Sequence, residues 1–292
     1  MSMALLSKLI EQAERENREL WEIILERDMD ERMVSREKSL ERMRSVWTDM
    51  CRASDDYDAR RVSRSGLSGG DGARMREYLD GGQALTGGYV GQAMAEALSM
   101  AESNACMRCI VAAPTAGACG VLPAVMMPLR DKGLDELGVF RMLYTAAGIG
   151  QAIAENAFIA GAAGGCQAEI GTASAMAAGA LVAYRGGSAA QIGHAAAIAL
   201  KNLLGLVCDP VAGLVEVPCV KRNVIGTVNA ISAAELALAG IESRVPVDQV
   251  ISAMKDVGCR MSVELRETAL GGLAATEFGE SVKKRLWGTN SF

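Results

Sequence analysis

Apolar residues near the N-terminus recur three or four positions apart, with charged residues between them. This spacing places apolar side chains along one face of an α-helix and is typical of amphipathic helices. It predicts two N-terminal helices within residues 1–60, which belong to the body of the chain or pack on it. The positions that define them are Leu5, Leu9, Ala13, Leu20 and Ile24, followed by Leu40, Met43, Trp47 and Met50.

From residue 84 onward, segments rich in Ala, Leu, Ile and Met are separated by Gly or Pro. Alternation with a period of two residues is rare in these segments, so helices fit them better than strands. The clearest helix covers residues 246–257. Pro246 stands at a plausible first position, Asp248 lies in the first turn, and Gly258 is the expected stop.

The middle of the chain is almost free of charge: residues 142–207 carry only four charged side chains, whereas residues 1–80 carry 33 of the 65. Helices of such Ala- and Gly-rich composition must be buried on nearly all sides. We therefore predict an all-α fold, a single helical domain with buried Ala/Gly-rich central helices and Gly/Pro-rich loops at the active site. Its main part is residues 61–292. A parallel α/β sheet would need Val- and Ile-rich strands, and few segments qualify.

Composition narrows the functional classes. The 292 residues are 50% hydrophobic, include 32 Gly, and give a formal net charge of −5, which disfavours nucleic acid as the main partner. The first fifteen residues lack the features of a signal peptide, so we expect a cytoplasmic protein. The uncharged run from Cys109 to Leu129 contains three prolines, which argues against a membrane span.

Several familiar motifs fail on inspection. The pair Gly148 and Gly150 resembles a dinucleotide fingerprint, but no strand precedes it, and helix packing explains it better. Cys106 and Cys109 form a CxxC pair without a second pair or a thioredoxin-like context. The single histidine, His194, is better explained as a core residue than as a catalyst. Lysines are few, and no glycine-rich phosphate cup accompanies Lys201, so pyridoxal chemistry is unsupported.

Eight cysteines in a reducing compartment are core residues or parts of a metal or redox site. Cys166, Cys208 and Cys219 stand beside Gly, Pro or charged residues, where the backbone turns. Thiolate ligands of iron–sulfur clusters favour such places, because turning backbone aims N–H groups at the sulfurs. On spacing alone, however, the match to a cluster pattern is weak, and three scattered core cysteines explain the pattern better.

Five sequence blocks, in the same order, resemble the alpha subunit of the iron–sulfur-dependent L-serine dehydratases, and they cover about residues 60–275. Two of them contain the cysteines just named. The blocks are SRSGLSGG (63–70), APTAGACG (113–120), GCQAEIG (165–171), CDPVAGLVEVPC (208–219) followed by KRN (221–223), and RETALGGLA (266–274).

The resemblance implies an all-helical catalytic domain and a [4Fe-4S] cluster held by Cys166, Cys208 and Cys219. It also implies conversion of L-serine to pyruvate and ammonia without pyridoxal phosphate. The iron without a cysteine ligand would act as a Lewis acid on the serine hydroxyl while a base removes the Cα proton. The candidate base is Glu169, whose pKa burial would raise, although a structural hydrogen bond is an equal alternative.

Candidates for binding the substrate carboxylate lie in two turns and one helix. Turns can offer backbone N–H groups, and arginine can offer a bidentate guanidinium. On composition alone, residues 63–72 are better explained as a linker than as an anion site, and Arg222 could be a surface cation. The candidates are Ser65, Ser68, Thr115, Gly117 and Arg222.

Single-chain members of the family carry a second, beta domain, and some end in a cysteine, whereas this chain ends in LWGTNSF. It therefore resembles the separate alpha subunit of the two-chain form. This implies a beta-subunit partner and an oligomeric enzyme. Cys109 and Cys119 remain outside the predicted cluster set, together with Cys51, Cys106 and Cys259.

Two other functions stay open on the sequence. The first is a cluster-dependent cysteine desulfidase on the same scaffold, whose thiol substrate would bind the same open iron. The second is a helical subunit without catalytic activity that serves as a scaffold for a partner. Iron content and the product released, sulfide or pyruvate, would separate these alternatives.

Overall fold

The computed structural model describes residues 5–288, and within them the chain forms thirteen α-helices and no β-strand. The predicted all-α fold in one helical domain is therefore confirmed. The last four residues, part of the C-terminal stretch noted above, lie outside the described residues. The helices are α1 (Leu6–Glu16), α2 (Leu20–Arg32), α3 (Arg36–Asp55), α4 (Asp71–Asp80), α5 (Gly88–Ala105), α6 (Val121–Arg130), α7 (Glu136–Asn156), α8 (Gly161–Gly164), α9 (Thr172–Tyr184), α10 (Ala189–Asn202), α11 (Cys219–Leu238), α12 (Val247–Arg260) and α13 (Glu277–Trp287).

Helix α9 lies at the centre of the domain and packs against α7, α10 and α11. All its residues from Thr172 to Ala183 are buried, as the charge-free sequence predicts. Small side chains let the helices approach closely, because a Cβ atom on Gly179 would lie only 2.2 Å from Cδ1 of Ile149 in α7. A Cβ on Gly148 would similarly collide with Ile24 of α2. Helix packing is thus the structural role of the glycine pair in α7.

The N-terminal segment forms three helices rather than the predicted two. The chain turns at Asn17 and Met33, which both have a φ of 49° in the left-handed region. Neither glycine nor proline marks these two breaks in the sequence. Helix α1 packs on α10 and α2 packs on α7, so that buried residues such as Leu6 and Leu20 belong to the main hydrophobic core.

Helix α12 begins where the sequence predicts, directly after Pro246, but it continues past the expected stop to Arg260. Gly258 is buried inside the helix, where a Cβ would lie 3.0 Å from the Cα of Gly164. The glycine is therefore a contact point between α12 and α8 and not a helix terminator. Among the described residues, no helix combines the length and the apolar character needed to cross a membrane.

Candidate functional site

Four irregular segments meet around a cavity of about 320 Å³. They lie before α6, between α7 and α9, between α10 and α11, and after α12, and each carries one of the sequence blocks described above. The cavity therefore lies where the helical regularity of the fold is interrupted. The lining residues that can bind a ligand or take part in chemistry are Thr115, Gly117, Glu169, Cys208, Cys219 and Glu267.

Cys166 is placed by the residues on either side of it. Gly165 has a φ of 76°, and a Cβ there would lie 2.9 Å from the carbonyl oxygen of Leu206, so the close approach of the two segments requires glycine. The following Gln167 opens a π-helical turn, and its backbone N–H donates to Leu206 at 2.9 Å. Its buried side chain accepts from the Gly205 N–H at 2.9 Å and donates to the Met254 carbonyl at 3.1 Å. These bonds fix Cys166 next to the segment that carries Cys208.

Cys208 is held by backbone pairing with a distant segment. Its N–H donates to the Leu265 carbonyl at 2.8 Å, and its carbonyl accepts from the Glu267 N–H at 2.7 Å. The two bonds form an isolated parallel bridge between Cys208 and Arg266. Residues 265–267 thus form one wall of the cavity and bring Glu267 beside the cysteine.

Cys219 is the first residue of α11, where the positive end of the helix dipole favours a thiolate. One turn later, the buried Asn223 donates to the carbonyl of Cys219 at 3.0 Å and to that of Gly117 at 2.8 Å. Its side-chain oxygen accepts from the Gly120 N–H at 2.9 Å. Asn223 therefore joins the turn at residues 115–120 to the cysteine at the helix start.

The thiols of Cys166 and Cys208 interact directly. The hydrogen bond from Cys208 lowers the pKa of Cys166, and the nearby positive charge of Arg222 lowers it further. The same hydrogen bond raises the pKa of Cys208, which remains the protonated partner. Burial alone would lower the pKa of Arg222, but the Cys166 sulfur and the Asp209 carboxylate raise it. Cys166 is thus the sulfur best prepared to carry a negative charge.

Glu169 reaches into the cavity from the π-helical turn. Burial raises the pKa of its carboxyl group, as the sequence predicts, and the negative charge of Glu267 adds to this effect. The Thr115 hydroxyl and the Gly161 N–H act in the opposite direction. Thr115 Oγ1 is shielded from solvent and forms no full hydrogen bond with any described residue. The carboxyl of Glu169 therefore keeps a polar neighbour without being locked into a structural network.

The donor set fits a metal centre with sulfur ligands. One sulfur from each of Cys166 and Cys208 and one oxygen of Glu169 lie within 4.8 Å of one another. Cys219 is outside this tight group but lines the same cavity, and burial, together with the charge of Cys166, raises its pKa. All three cysteines are buried and free. Convergent thiols with an adjacent arginine are a suitable environment for an iron–sulfur cluster.

The predicted substrate-binding residues divide into two groups. Thr115 and Gly117 line the cavity, and a Cβ on Gly117 would lie 3.3 Å from the Glu169 carboxylate. Ser65 and Ser68 are buried outside the cavity walls, and the Ser65 hydroxyl donates to the buried carboxylate of Glu216 at 2.6 Å.

Arg222 also lies behind the cavity and not in it. Its guanidinium donates to the Val207 carbonyl at 2.7 Å and to Asp209 at 2.8 Å, and it contacts Cys166. Asp209 in turn accepts from the Leu273 N–H at 2.9 Å. Arg222 therefore holds the segments of two cysteines in place and offsets the charge of a thiolate.

Sequence reasoning missed Glu267. Glu267 stands within the RETALGGLA block, but a charged residue on a loop gives no sign in the sequence that it belongs to a site. Its φ of 63° is visible only in the structure. The CxxC pair stays apart from the cavity, because Cys106 is half-buried and Cys109 is exposed. His194 is half-buried and accepts from the Ser243 N–H at 3.4 Å.

The sequence is similar to several curated proteins. It is 43% identical over 267 residues, 91% of each chain, to the "L-serine dehydratase, alpha chain" of Peptoniphilus asaccharolyticus. It is 50% identical over 228 residues to a Bacillus subtilis protein named "Probable L-serine dehydratase, alpha chain", covering 78% of this chain and 76% of that protein. The "L-serine dehydratase" of Streptomyces coelicolor is 48% identical over 181 residues, which are 61% of this chain but 40% of that longer protein.

The family model described as "Serine dehydratase alpha chain" matches residues 15–274, a span that contains all four segments of the cavity. The chain belongs to the serine dehydratase alpha chain family.

Proposed function

We propose that this chain is the alpha subunit of an iron–sulfur-dependent L-serine dehydratase, which converts L-serine to pyruvate and ammonia. The observation that carries the proposal is the grouping of three cysteines at one cavity: Cys208 and Cys219 line it beside Glu169, and Cys166 lies directly behind, against Cys208 and Glu169. The names of the similar proteins support the same substrate and reaction.

Cys166, Cys208 and Cys219 are the proposed ligands of a [4Fe-4S] cluster. When bound, the cluster would supply an iron atom without a cysteine ligand, a Lewis acid that makes the serine hydroxyl a better leaving group. Around it, Arg222 offsets thiolate charge, and the start of α11 adds its positive dipole end. Pyridoxal phosphate has no part in this proposal.

Glu169 is the proposed acceptor of the Cα proton. Its partly buried carboxyl has a raised pKa, which makes it a stronger base than an exposed glutamate once it is ionised. Loss of the Cα proton and of the hydroxyl gives 2-aminoacrylate, which tautomerises to an imine and hydrolyses to pyruvate and ammonia. In the same cavity, Thr115 and the turn at Gly117 are the proposed donors to the substrate carboxylate.

For Ser65, Ser68 and Arg222 we propose supporting roles in place of direct substrate contact. Ser65 fixes Glu216 on the segment between Cys208 and Cys219, and Arg222 fixes Asp209 next to Cys208. We further propose that residues 61–292 are the catalytic unit and that the chain works in an oligomer with a beta subunit. The alpha-chain names of the relatives support such a partner.

The decisive experiment measures iron and acid-labile sulfide per chain after purification without air. We expect a brown protein with about four iron atoms per chain, as a four-iron cluster requires. Addition of an iron chelator in air should remove the colour and the pyruvate-forming activity together. Iron content near zero in the anaerobic protein would overturn the cluster proposal. Sulfide release from L-cysteine without pyruvate release from L-serine would favour the desulfidase alternative.

Cysteine variants locate the ligands. Serine at position 166, 208 or 219 should lower both iron content and activity by more than about 100-fold, beyond the loss typical of groups outside the ligand set. Cys119→Ser is the matched control, because Cys119 is also buried but neither lines the cavity nor belongs to the close group of Cys166, Cys208 and Glu169. A colourless wild-type protein after anaerobic purification, together with unchanged folding of the three cysteine variants, would favour the scaffold alternative.

A further inference from the structure

Two carboxylates face each other across the cavity at Gly161. A Cβ atom on this glycine would lie 3.0 Å from Oε2 of Glu169, 3.2 Å from Oε2 of Glu267 and 3.0 Å from the Cys208 sulfur. The three atoms therefore border one small space beside Gly161. Glu267 also raises the pKa of Glu169 through its charge, which confirms their proximity.

The charge of the cavity is one-sided. Among the described residues, those lining it include these two carboxylates and the Thr115 hydroxyl, but neither lysine nor arginine. Arg222 and Arg266 lie near the cavity but do not line it, and the Arg222 guanidinium is engaged by Val207 and Asp209. A zwitterionic amino acid would therefore be attracted by its ammonium end, while its carboxylate must find neutral donors.

The Glu267 side chain is available for such a ligand. Its backbone is fixed by the N–H bond to Cys208 and lies at a φ of 63°, a conformation that costs a residue other than glycine about 1–3 kcal/mol. Among the described residues, none donates a hydrogen bond to its carboxylate. Thr115 lines the same cavity, and its hydroxyl is shielded from solvent and also lacks a full hydrogen bond. The site thus holds polar groups in place without partners inside the protein.

We infer that Glu267 binds the α-ammonium group of the substrate and, with Glu169, makes the site selective for amino acids over hydroxy acids. This inference rests on the proposed function, since it assigns one end of the serine molecule. Glu267 fixes the nitrogen, the turn at Thr115 and Gly117 receives the carboxylate, and Glu169 is left beside the Cα–H bond. No covalent step is assigned to Glu267.

The test compares two ligands that do not react, each titrated by calorimetry into the anaerobic enzyme. L-Alanine keeps the ammonium group, whereas 3-hydroxypropanoate is serine without it. Loss of an ionic hydrogen bond predicts that Glu267→Gln weakens L-alanine binding and raises the KM for L-serine by roughly 10- to 100-fold. The kcat should change less than about threefold, the iron content should remain that of the wild type, and 3-hydroxypropanoate should bind as before.

Two further variants complete the test. Glu267→Asp keeps the charge one carbon further away and should restore part of the affinity for L-alanine. Glu264→Gln is the matched control, because Glu264 is exposed on the same segment and does not line the cavity.

Equal weakening of both ligands by Glu267→Gln would mean a structural role and would overturn the inference, as would unchanged binding of both. A wild-type enzyme that contains iron but neither binds L-alanine nor converts L-serine would instead overturn the proposed function.

Discussion

The helical interior and the cavity region of this protein are built in opposite ways. Around α9, regular helices pack through Ala and Gly, and almost every contact is apolar. Around the cavity, the backbone runs through a π-helical turn, short 3₁₀ turns and three non-glycine residues with positive φ: Ala212, Glu267 and Ala269. The interior excludes charge, whereas the cavity region buries Asp209, Glu216 and Arg222 within a few residues of the cysteines.

The difference shows what each region is optimised for. Close-packed small residues give a rigid and dry frame at little electrostatic cost. Irregular backbone exposes N–H groups and aims side chains at one point, but it needs a hydrogen-bond partner for every buried polar group. The cavity region obtains those partners from side chains such as Gln167 and Asn223, which bridge separate segments.

The largest expected effect comes from the buried ion pair behind the cavity. Arg222→Met leaves the Asp209 carboxylate, only 4% exposed, without its cationic partner and should lower the free energy of unfolding by about 3–5 kcal/mol. The adjacent Lys221 pairs with Asp71 at the surface, so Lys221→Met should cost less than about 1 kcal/mol. Urea unfolding of both variants measures the contrast. Equal losses would mean that the cavity region is not held by its buried charges.

The same substitution in the two regions should separate stability from activity. Gly179→Ala overpacks the α7–α9 contact and should destabilise the fold by about 1–3 kcal/mol, with normal activity per folded molecule. Gly161→Ala places a methyl group against the Cys208 sulfur and the two carboxylates, so iron content and activity should fall while stability changes little. Thermal unfolding, iron analysis and pyruvate formation together distinguish the two outcomes. If Gly179→Ala alone lowered the activity per folded molecule, the helical interior and the cavity region would not be separate in function.

The smallest expected effect concerns the N-terminal end of α10, one of the helices packed around α9. Ser188 caps α10 through a reciprocal pair of hydrogen bonds with Gln191, at 3.2 Å and 2.9 Å. Ser188→Ala should destabilise the protein by about 1 kcal/mol without altering iron content. Ser232, which is exposed and bonds only to a carbonyl within its own helix, is the control position. A change in iron content would show that the frame and the cavity are coupled through α10.

The fold was readable from the sequence because its signals are local. Helical spacing, the charge-free middle and Pro246 each predict an element that the structure contains. The breaks at Asn17 and Met33 were not predictable, since nothing in those residues requires a left-handed conformation. The role of Gly258 depends on its contact with α8, which is almost one hundred residues away, and the pattern of its own helix cannot reveal it.

The sequence predicted which residues belong to the candidate site better than it predicted the contacts between them. Cys208, Cys219, Glu169, Thr115 and Gly117 line one cavity, and Cys166 lies against Cys208 and Glu169 behind it. The partners of Arg222 and Ser65 could not be inferred, because a guanidinium or a hydroxyl carries no mark of what it will bind. Glu267 reaches the cavity through a backbone bridge of a single residue pair, and one such pair leaves no periodic trace in a sequence.

The bridge between Cys208 and residues 265–267 also sets an order of events during biosynthesis. Helices α1 to α11 contain most of the hydrophobic core and can begin to pack while the ribosome is still translating the rest. The cavity, in contrast, lacks a wall until Glu267 has been made and has reached Cys208. The wall formed by Glu267 is therefore the last part of the cavity to be completed.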